Sequence, residues 1–261
     1  MARAAKAKYV LGLTATATRK DGRQPIIFMQ CGPIRYKVDP KSQAALRPFA
    51  HKVVRRHTAF QPFAYSAERM TIQQLYAAIA TDKERNRMMM EDIDEAMAAK
   101  RSPLLLTERK DHAKLLAAQL SASGRHVVVM TGGQAAKERE RVRRQLDSIP
   151  ETEPRLLIAT GRYIGEGFDD ARLDTLFLAM PISWHGTLAQ YAGRLHRLHH
   201  AKKEVIVYDY VDDAHPMLDK MAEKRRKGYE RIGYEIATTE TVRSEISEPG
   251  QQGRLSLPHS Y

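Results

Sequence analysis

Two stretches decide the fold: residues 155–170, which read RLLIATGRYIGEGFDD, and residues 187–197, which read TLAQYAGRLHR. In the first, the apolar run 156–159 ends at Thr160 and Gly161, a pattern typical of a buried strand that leads into a loop. The glycines of that loop allow a backbone to approach a ligand closely, and a carboxylate near its end can accept a hydroxyl. The first stretch therefore predicts a strand followed by a binding loop.

The second stretch predicts a helix with polar side chains on one face. Gln190, Arg194 and Arg197 are spaced by four and then three residues, so a helix places them on the same side. Two guanidinium groups on one face form a fork that suits phosphate oxygens. Arginines alone are more often part of a solvated surface, so the phosphate reading depends on the neighbouring loop.

Together the two stretches resemble motifs V and VI of superfamily 2 helicases. Residues 190–197 match Gln-x-x-Gly-Arg-x-x-Arg at every defined position, and residues 159–169 are similar to the motif before it. Residues 12–16, GLTAT, resemble motif III of the same superfamily, although Ala17 stands where the family has a proline. The resemblance extends over residues 9–235.

The remaining pattern predicts an α/β fold. Short apolar runs alternate with helical periodicity, which indicates a parallel sheet with right-handed crossovers. The resemblance implies the RecA-like parallel sheet of a helicase carboxy-terminal domain, flanked by helices, plus a remnant of the first RecA-like domain. Five strands are expected in the main domain, at 104–106, 127–130, 156–159, 176–179 and 205–208. Helices are expected at 110–120, 134–146, 187–197 and 216–231.

We expect four segments along the chain. They are a remnant of the first RecA-like domain at 1–40, a linker at 41–80, the second RecA-like domain at 81–235 and a disordered polar tail at 236–261.

Local patterns add further expectations. Residues 9–13 and 34–38 read as strands, 52–56 as another strand, and 71–80 as a helix. Thr81 and Glu84 fit a capping box at the start of a long helix that ends near residue 100 and carries a methionine stripe for the core.

The nucleotide-binding motifs of the first helicase domain are missing from the sequence. No Gly-x-x-x-x-Gly-Lys-Ser/Thr loop occurs in it. The nearest acidic box, at 94–97, lies in a helical stretch after motif III, so we do not assign it to magnesium. We therefore expect the chain to begin inside the first ATP-binding domain. Its cofactor would be ATP with Mg²⁺, held mainly by an amino-terminal helicase half that acts as its partner.

Composition favours a polyanionic partner. Lys and Arg number 43 against 31 Asp and Glu, for a net charge of +12 and a pI near 9.8. We expect DNA rather than RNA, because residues 20–22 and 165–169 resemble the DNA-repair and restriction branch. The single cysteine, Cys31, excludes an internal disulfide and a cysteine-built zinc site. No long apolar run is present, so we expect a cytoplasmic protein with no membrane partner.

The resemblance also implies roles for individual residues. The arginine fingers would be Arg194 and Arg197, which stabilise charge on the γ-phosphate. ATP would be bound by Gly167, Asp169 and Gln190. The nucleic-acid backbone would be held by Thr107, Arg109, Thr131, Gly132 and Thr160. The two sites would be coupled by Thr14 and Thr16. No metal ligand is assigned, since the spacing of His196, His199 and His200 does not support zinc.

Three hypotheses follow. The first is the carboxy-terminal half of an ATP-dependent helicase or translocase, inactive alone, and it requires the two arginines to lie at the strand-tip rim beside the glycine-bearing bend. The second is a non-enzymatic nucleic-acid-binding module derived from a helicase. The third, a different phosphate-binding α/β protein such as a glycosyltransferase-like one, does not explain Thr14, Thr16 and Arg197 together. Trp184 is more simply interpreted as a core residue, and the basic helix near 137–147 as a solvated face.

Overall fold

The computed structural model describes residues 9–14, 22–62, 70–122, 124–133, 136–161, 170–182 and 185–242. Within them, seven strands form one sheet in the order β3-β4-β2-β5-β6-β1-β7, and every neighbouring pair is parallel. The strands are β1 Ala50–His57, β2 Pro103–Thr107, β3 His126–Met130, β4 Arg155–Thr160, β5 Thr175–Leu178, β6 Glu204–Val211 and β7 Glu235–Ala237. The predicted parallel sheet is confirmed.

Helices cover both faces of the sheet. They are α1 Gln24–Cys31, α2 Pro40–Ala45, α3 Ile72–Thr81, α4 Lys83–Ala98, α5 Lys110–Ser121, α6 Ala136–Ser148, α7 His185–Gly193 and α8 Pro216–Arg231. A 3-10 turn, Arg194–His196, follows α7. No helix within the described ranges is both long and apolar enough to cross a membrane.

Alternate residues of the central strands feed two separate cores. On β2, Leu104 and Leu106 belong to the core beneath α6 and α7, whereas Leu105 packs with α4 and α5 on the other face. Because both faces are covered, the central strands are continuous apolar runs. The methionine stripe of α4 lies in the second core, as predicted, with Met89 and Met97 buried.

Two expected amino-terminal strands do not form. Residues 9–14 and 34–39 have no regular secondary structure, and Leu11 and Tyr36 are each 82% exposed. An apolar run becomes a strand only where a neighbouring strand pairs with its backbone, and the seven-stranded sheet includes neither segment. Helix α1 occupies part of the region between them.

The segment expected as a linker, 41–80, contains regular structure that the tail also helps to build. Strand β1 pairs with β6 along eight residues and with β7 on its other side. Part of the expected tail is thus ordered in the sheet, and Val242 beyond it is 1% exposed. The limits of the domains stay a prediction. The start of α4 is also corrected by one residue, because Asp82 caps it through Arg85 N, while Thr81 ends α3.

Candidate functional site

The carboxyl ends of β3, β4 and β2, with the loops that follow them, form an edge that we call the carboxyl edge. The three strands are adjacent, and Thr107 lies in register with Thr160. The five residues predicted to hold nucleic acid follow or end these strands, so the fold brings them to one edge. Thr131 and Arg109 are half-buried there, as is Gly132.

The hydroxyl of Thr107 is used inside the protein. Thr107 is 1% exposed, and its Oγ1 accepts from Arg109 N at 3.3 Å and lies 3.1 Å from His112 Nδ1. Asn86 Nδ2 donates to Ala80 O, so Asn86 Oδ1 accepts from His112 Nε2 at 3.0 Å. His112 Nδ1 is then the acceptor of the Thr107 proton. Thr107 therefore positions the loop that carries Arg109.

Burial keeps the imidazole of His112 neutral. It lowers the pKa of His112 to about 4, and the positive charges of Arg85 and Arg109 contribute to the same shift. The imidazole is neutral at neutral pH, and only the neutral form can accept the Thr107 proton at Nδ1.

Thr160 joins two loops of the carboxyl edge. It is 6% exposed, and its Oγ1 accepts from Gly132 N at 2.9 Å. Gly133, which follows, has a φ of 85°, a conformation that favours glycine. A Cβ at that position would lie 3.6 Å from Lys110 Nζ, which brings a cation that the sequence reasoning missed to this edge.

A second feature missed from the sequence surrounds Gly161. A Cβ on Gly161 would lie 2.1 Å from Tyr191 Oη and 2.5 Å from Glu108 Oε1. Tyr191 donates to Glu108 Oε1 at 3.3 Å, and burial followed by the charge of Glu108 raises the pKa of the phenol. Helix α7 therefore approaches the end of β4 closely only because residue 161 is glycine.

The loop from β5 into α7 is held by three carbonyl contacts. Arg85 Nη1 donates to Ala179 O at 2.7 Å, Tyr76 Oη to Pro181 O at 2.6 Å, and Arg225 Nη1 to Ile182 O at 3.2 Å. Both arginines are themselves buried in ion pairs. These join Arg85 to Asp212 at 2.8 Å and Arg225 to Asp209 at 2.7 Å.

The predicted helix through Arg197 ends earlier than expected. Helix α7 stops at Gly193, and Arg194–His196 form the 3-10 turn. Arg197 has an extended backbone, with φ −65° and ψ 134°. Gln190, Arg194 and Arg197 therefore do not share the face of one continuous helix, because the spacing rule assumed α-helical geometry throughout. Gln190 and Arg197 are exposed and Arg194 is half-buried. We call residues 194–197 the arginine turn.

The arginine turn lies at the amino ends of the strands, which we call the amino edge. Lys202, two residues before β6, donates from Nζ to Leu195 O and Arg197 O, each at 2.8 Å. His196 Nε2 lies 3.0 Å from the hydroxyl of Tyr234, next to β7. The two arginines therefore lie at the amino ends of the strands and not at the carboxyl ends, where the strand before the glycine-bearing bend finishes. Residues 162–169 of that bend are outside the described ranges, so its position beside the arginines stays a prediction. A crossover helix between parallel strands leaves the carboxyl edge and must return to the amino edge.

Gly167 and Asp169, the other expected nucleotide contacts, lie outside the described residues, as do Thr16, Ala17 and Trp184. Asp170, however, pairs with Arg155, the first residue of β4. Asp170 also interacts electrostatically with Lys202. The residue after Asp169 is thus at the amino edge, with the arginine turn. Thr14 is exposed in an irregular segment.

The amino edge also contains a group with metal-ligand chemistry. Potential ligand atoms of Glu151, His199 and His200 lie within 4.8 Å of one another, and His199 Nε2 is 3.8 Å from Glu151 Oε1. Glu151 and His200 are exposed, and the cluster is not enough to define a metal centre. His196 is not part of it.

No protein-family model matches the chain. Uncharacterized protein 108L of Invertebrate iridescent virus 3 is 42% identical to it over 87 residues, which are 32% of this chain and 76% of the viral protein.

The fold is similar to that of solved helicase structures. T4 UvsW matches with a TM-score of 0.58 at 17% identity, over 74% of this chain and 42% of that one. S. cerevisiae Dbp5 bound to RNA and ADP BeF3 matches with a TM-score of 0.56 at 13% identity, over 89% of this chain and 53% of that one. The C-terminal domain of the DEAD-box protein Dbp5 matches with a TM-score of 0.52 at 13% identity, over 77% of this chain and 97% of that one.

The chain thus spans about half or less of the two longer helicase chains and nearly all of the isolated domain. At these identities the likeness shows the fold alone, and it confirms the RecA-like helicase carboxy-terminal architecture.

Proposed function

Because the chain belongs to the same family as uncharacterized protein 108L of Invertebrate iridescent virus 3 and has a helicase carboxy-terminal fold, we propose that it is a helicase-derived module with two working edges. The carboxyl edge binds the backbone of a nucleic-acid strand. The amino edge presents the arginine turn to a nucleotide held by a second RecA-like lobe. The observation that carries this proposal is the gathering of Thr107, Thr131 and Thr160 with Arg109 and Lys110 on three adjacent strand ends.

The carboxyl edge suits a phosphate backbone and not a particular base sequence. Arg109 and Lys110 supply charge, and Lys110 Nζ lies close to the loop after β3, 3.6 Å from where a Cβ on Gly133 would be. Contacts of these kinds position a strand without reading its sequence. Thr107 and Thr160 support this edge from inside, since their hydroxyls hold Arg109 N and Gly132 N. The overall charge of +12 adds a sequence-independent attraction.

The amino edge suits a triphosphate. Arg194 and Arg197 lie there, the ammonium group of Lys202 donates to Arg197 O, and Gln190 is exposed on the preceding helix. Because the chain has no Walker loop, the second lobe would hold most of the ATP and its Mg²⁺. ATP supplies the phosphoryl group, and the two arginines stabilise the negative charge that builds on it.

The nucleic-acid claim is tested by fluorescence anisotropy with labelled single strands of DNA and RNA. We expect binding that weakens steeply with salt, DNA being preferred. The double variant Arg109→Ala/Lys110→Ala should lower the slope of log K against log salt by about 1.4, since each single-strand phosphate contact contributes about 0.7. Arg139→Ala/Arg143→Ala, at two exposed positions of α6, is the control for loss of two charges and should change affinity little. Equal losses in both variants would show that binding is not localised to this edge.

The catalytic claim needs a separately produced lobe that carries a Walker loop. We expect no turnover from the chain alone and nucleic-acid-stimulated ATPase from the pair. Arg194→Ala or Arg197→Ala should lower kcat by about 10³-fold or more, because arginine fingers contribute about 10³–10⁵ in rate. Binding of single-stranded nucleic acid by the chain alone should be unchanged in these variants. Binding without any restored ATPase would favour the second candidate, a non-enzymatic nucleic-acid-binding module.

A further inference from the structure

Lys202 is buried at the amino edge beneath the arginine turn. It is 8% exposed, and its Nζ donates to Leu195 O and to Arg197 O, each at 2.8 Å. The same nitrogen lies 5.5 Å from the ring centroid of Phe49. Burial of an ammonium group is costly unless its donors are used, so the two carbonyl bonds explain how it is tolerated.

The two carbonyls need such a donor. Where a helix ends, its last C=O groups have no partner within the helix. Here α7 gives way to the 3-10 turn, and the backbone becomes extended at Arg197. Lys202 satisfies carbonyls on both sides of His196, and so it fixes the backbone over the residues that carry the two guanidinium groups.

We infer that Lys202 is a positioning residue that fixes the arginine turn in the conformation needed to reach a nucleotide on another lobe. The tether itself follows from the contacts of this chain. Its consequence for catalysis rests on the proposed function.

The charges around Lys202 come from several elements. Burial lowers its pKa to about 8, Asp174 and Asp170 oppose that shift, and Arg101 adds to it. Nearby His196 is neutral, since burial and the neighbouring cations lower its pKa to about 3. A neutral amine still has two N–H groups for the two carbonyls, so raising the pH does not mimic removal of the side chain.

The pH dependence of stability also separates deprotonation of Lys202 from removal of its side chain. Because the pKa of Lys202 is lowered on folding, the unfolded chain binds more protons between pH 8 and 10.5. Lys202 therefore causes no loss of global stability as the pH rises through that window. Deletion of its donors, and not its deprotonation, is the informative change.

The test compares Lys202→Met with Lys203→Met in the full chain. Both variants lose one positive charge and keep the aliphatic stem, but Lys203 is exposed. Hydrogen exchange is followed by mass spectrometry in peptides that cover residues 193–200. We expect exchange at least about tenfold faster in Lys202→Met and unchanged in Lys203→Met. Equal exchange in both variants would overturn the tether.

Two further readouts separate positioning from general stability and from the proposed function. In the ATPase pair, Lys202→Met should lower kcat while KM for ATP changes little, and Lys202→Arg, which keeps donors, should restore part of the rate. Faster exchange with an unchanged kcat would support the tether and contradict the arginine-finger assignment. Should Lys202→Met not fold, ¹³C NMR of lysine in the unaltered chain decides, because Lys202 should titrate near pH 8. A midpoint near 10.5 would overturn its burial and the tether.

Discussion

Helix α7 begins at the carboxyl edge and ends at the amino edge, and side chains from other elements clamp backbone carbonyls at both ends. Before its start, Ala179 O and Ile182 O are held by Arg85 and Arg225. Beyond its end, Lys202 holds two carbonyls of the arginine turn. The donors at the start are guanidinium groups that stay charged at any ordinary pH, whereas the ammonium group at the end loses its proton near pH 8.

This difference assigns different mechanical roles to the two edges. At the start of α7 the two clamping arginines are paired with buried Asp212 and Asp209, which makes this end of the helix rigid. At the amino edge the two carbonyls are held by Lys202, and no carboxylate is hydrogen-bonded to its ammonium group within the described residues. The arginine turn is therefore the end of α7 that a small change can adjust.

The largest effect is expected from breaking a clamp at the start of α7. Arg225→Met leaves Asp209 buried without its partner, and loss of one member of a buried ion pair costs about 3–5 kcal/mol of unfolding free energy. Arg226→Met is the matched control on the next position of α8. Its ion pairs with Glu223 and Glu230 are at the surface, where such pairs contribute below about 1 kcal/mol.

Urea unfolding of both variants measures the difference. Similar losses in the two variants would show that the Asp209 pair does not brace the carboxyl edge, and the contrast between the two ends of α7 would fail.

An intermediate effect is expected where the side of α7 approaches β4. Gly161→Ala places a methyl group 2.1 Å from Tyr191 Oη and 3.1 Å from its Cζ, which are parts of a stiff, buried ring. Such overpacking costs about 1–3 kcal/mol. Gly193→Ala, at the end of the same helix, meets no atom within 4 Å and has a helical φ of −58°. It should be neutral or stabilising by up to about 1 kcal/mol.

The double variant Gly161→Ala/Tyr191→Phe tests the cause. Removing Oη takes away the nearest contact, so thermal unfolding should show partial recovery compared with Gly161→Ala. No recovery would mean that the strain lies elsewhere than at Tyr191.

The sheet was predictable from sequence because its central strands are apolar runs and its helices have clear periods. The five expected strands were found, and residues 216–231 form the expected helix. The placement of Thr107, Thr131 and Thr160 on one edge also followed, since parallel strands all end at the same side. Strand β1 was read correctly from residues 52–56, but its place in the sheet depends on contacts distant in sequence.

The sequence predictions that were wrong concern features that depend on tertiary contacts, which no local pattern contains. Within the described residues the sheet does not include residues 9–13, so their apolar pattern did not produce a strand. The 3-10 turn after Gly193 is hydrogen-bonded by Lys202, a contact that the local pattern does not contain. Lys110 and Tyr191 gave no motif signal, although topology alone places the loop after β2 beside the loop after β3. The amino-edge position of the arginines was also derivable, because α7 must return to the start of β6.

The smallest effect is expected at the hydroxyl of Tyr76, and it tests whether the two ends of α7 respond independently. Tyr76→Phe removes the donor to Pro181 O, a part-buried bond of 2.6 Å, so unfolding free energy should fall by about 1 kcal/mol. Tyr36→Phe, at a side chain that is 82% exposed, should change it by less than about 0.5 kcal/mol. If the ends are independent, Tyr76→Phe should speed hydrogen exchange at the first residues of α7 and leave residues 193–200 unchanged. Faster exchange at both ends would mean that α7 transmits a disturbance from its first residues to the arginine turn, and the two ends of the helix would then act as one coupled unit.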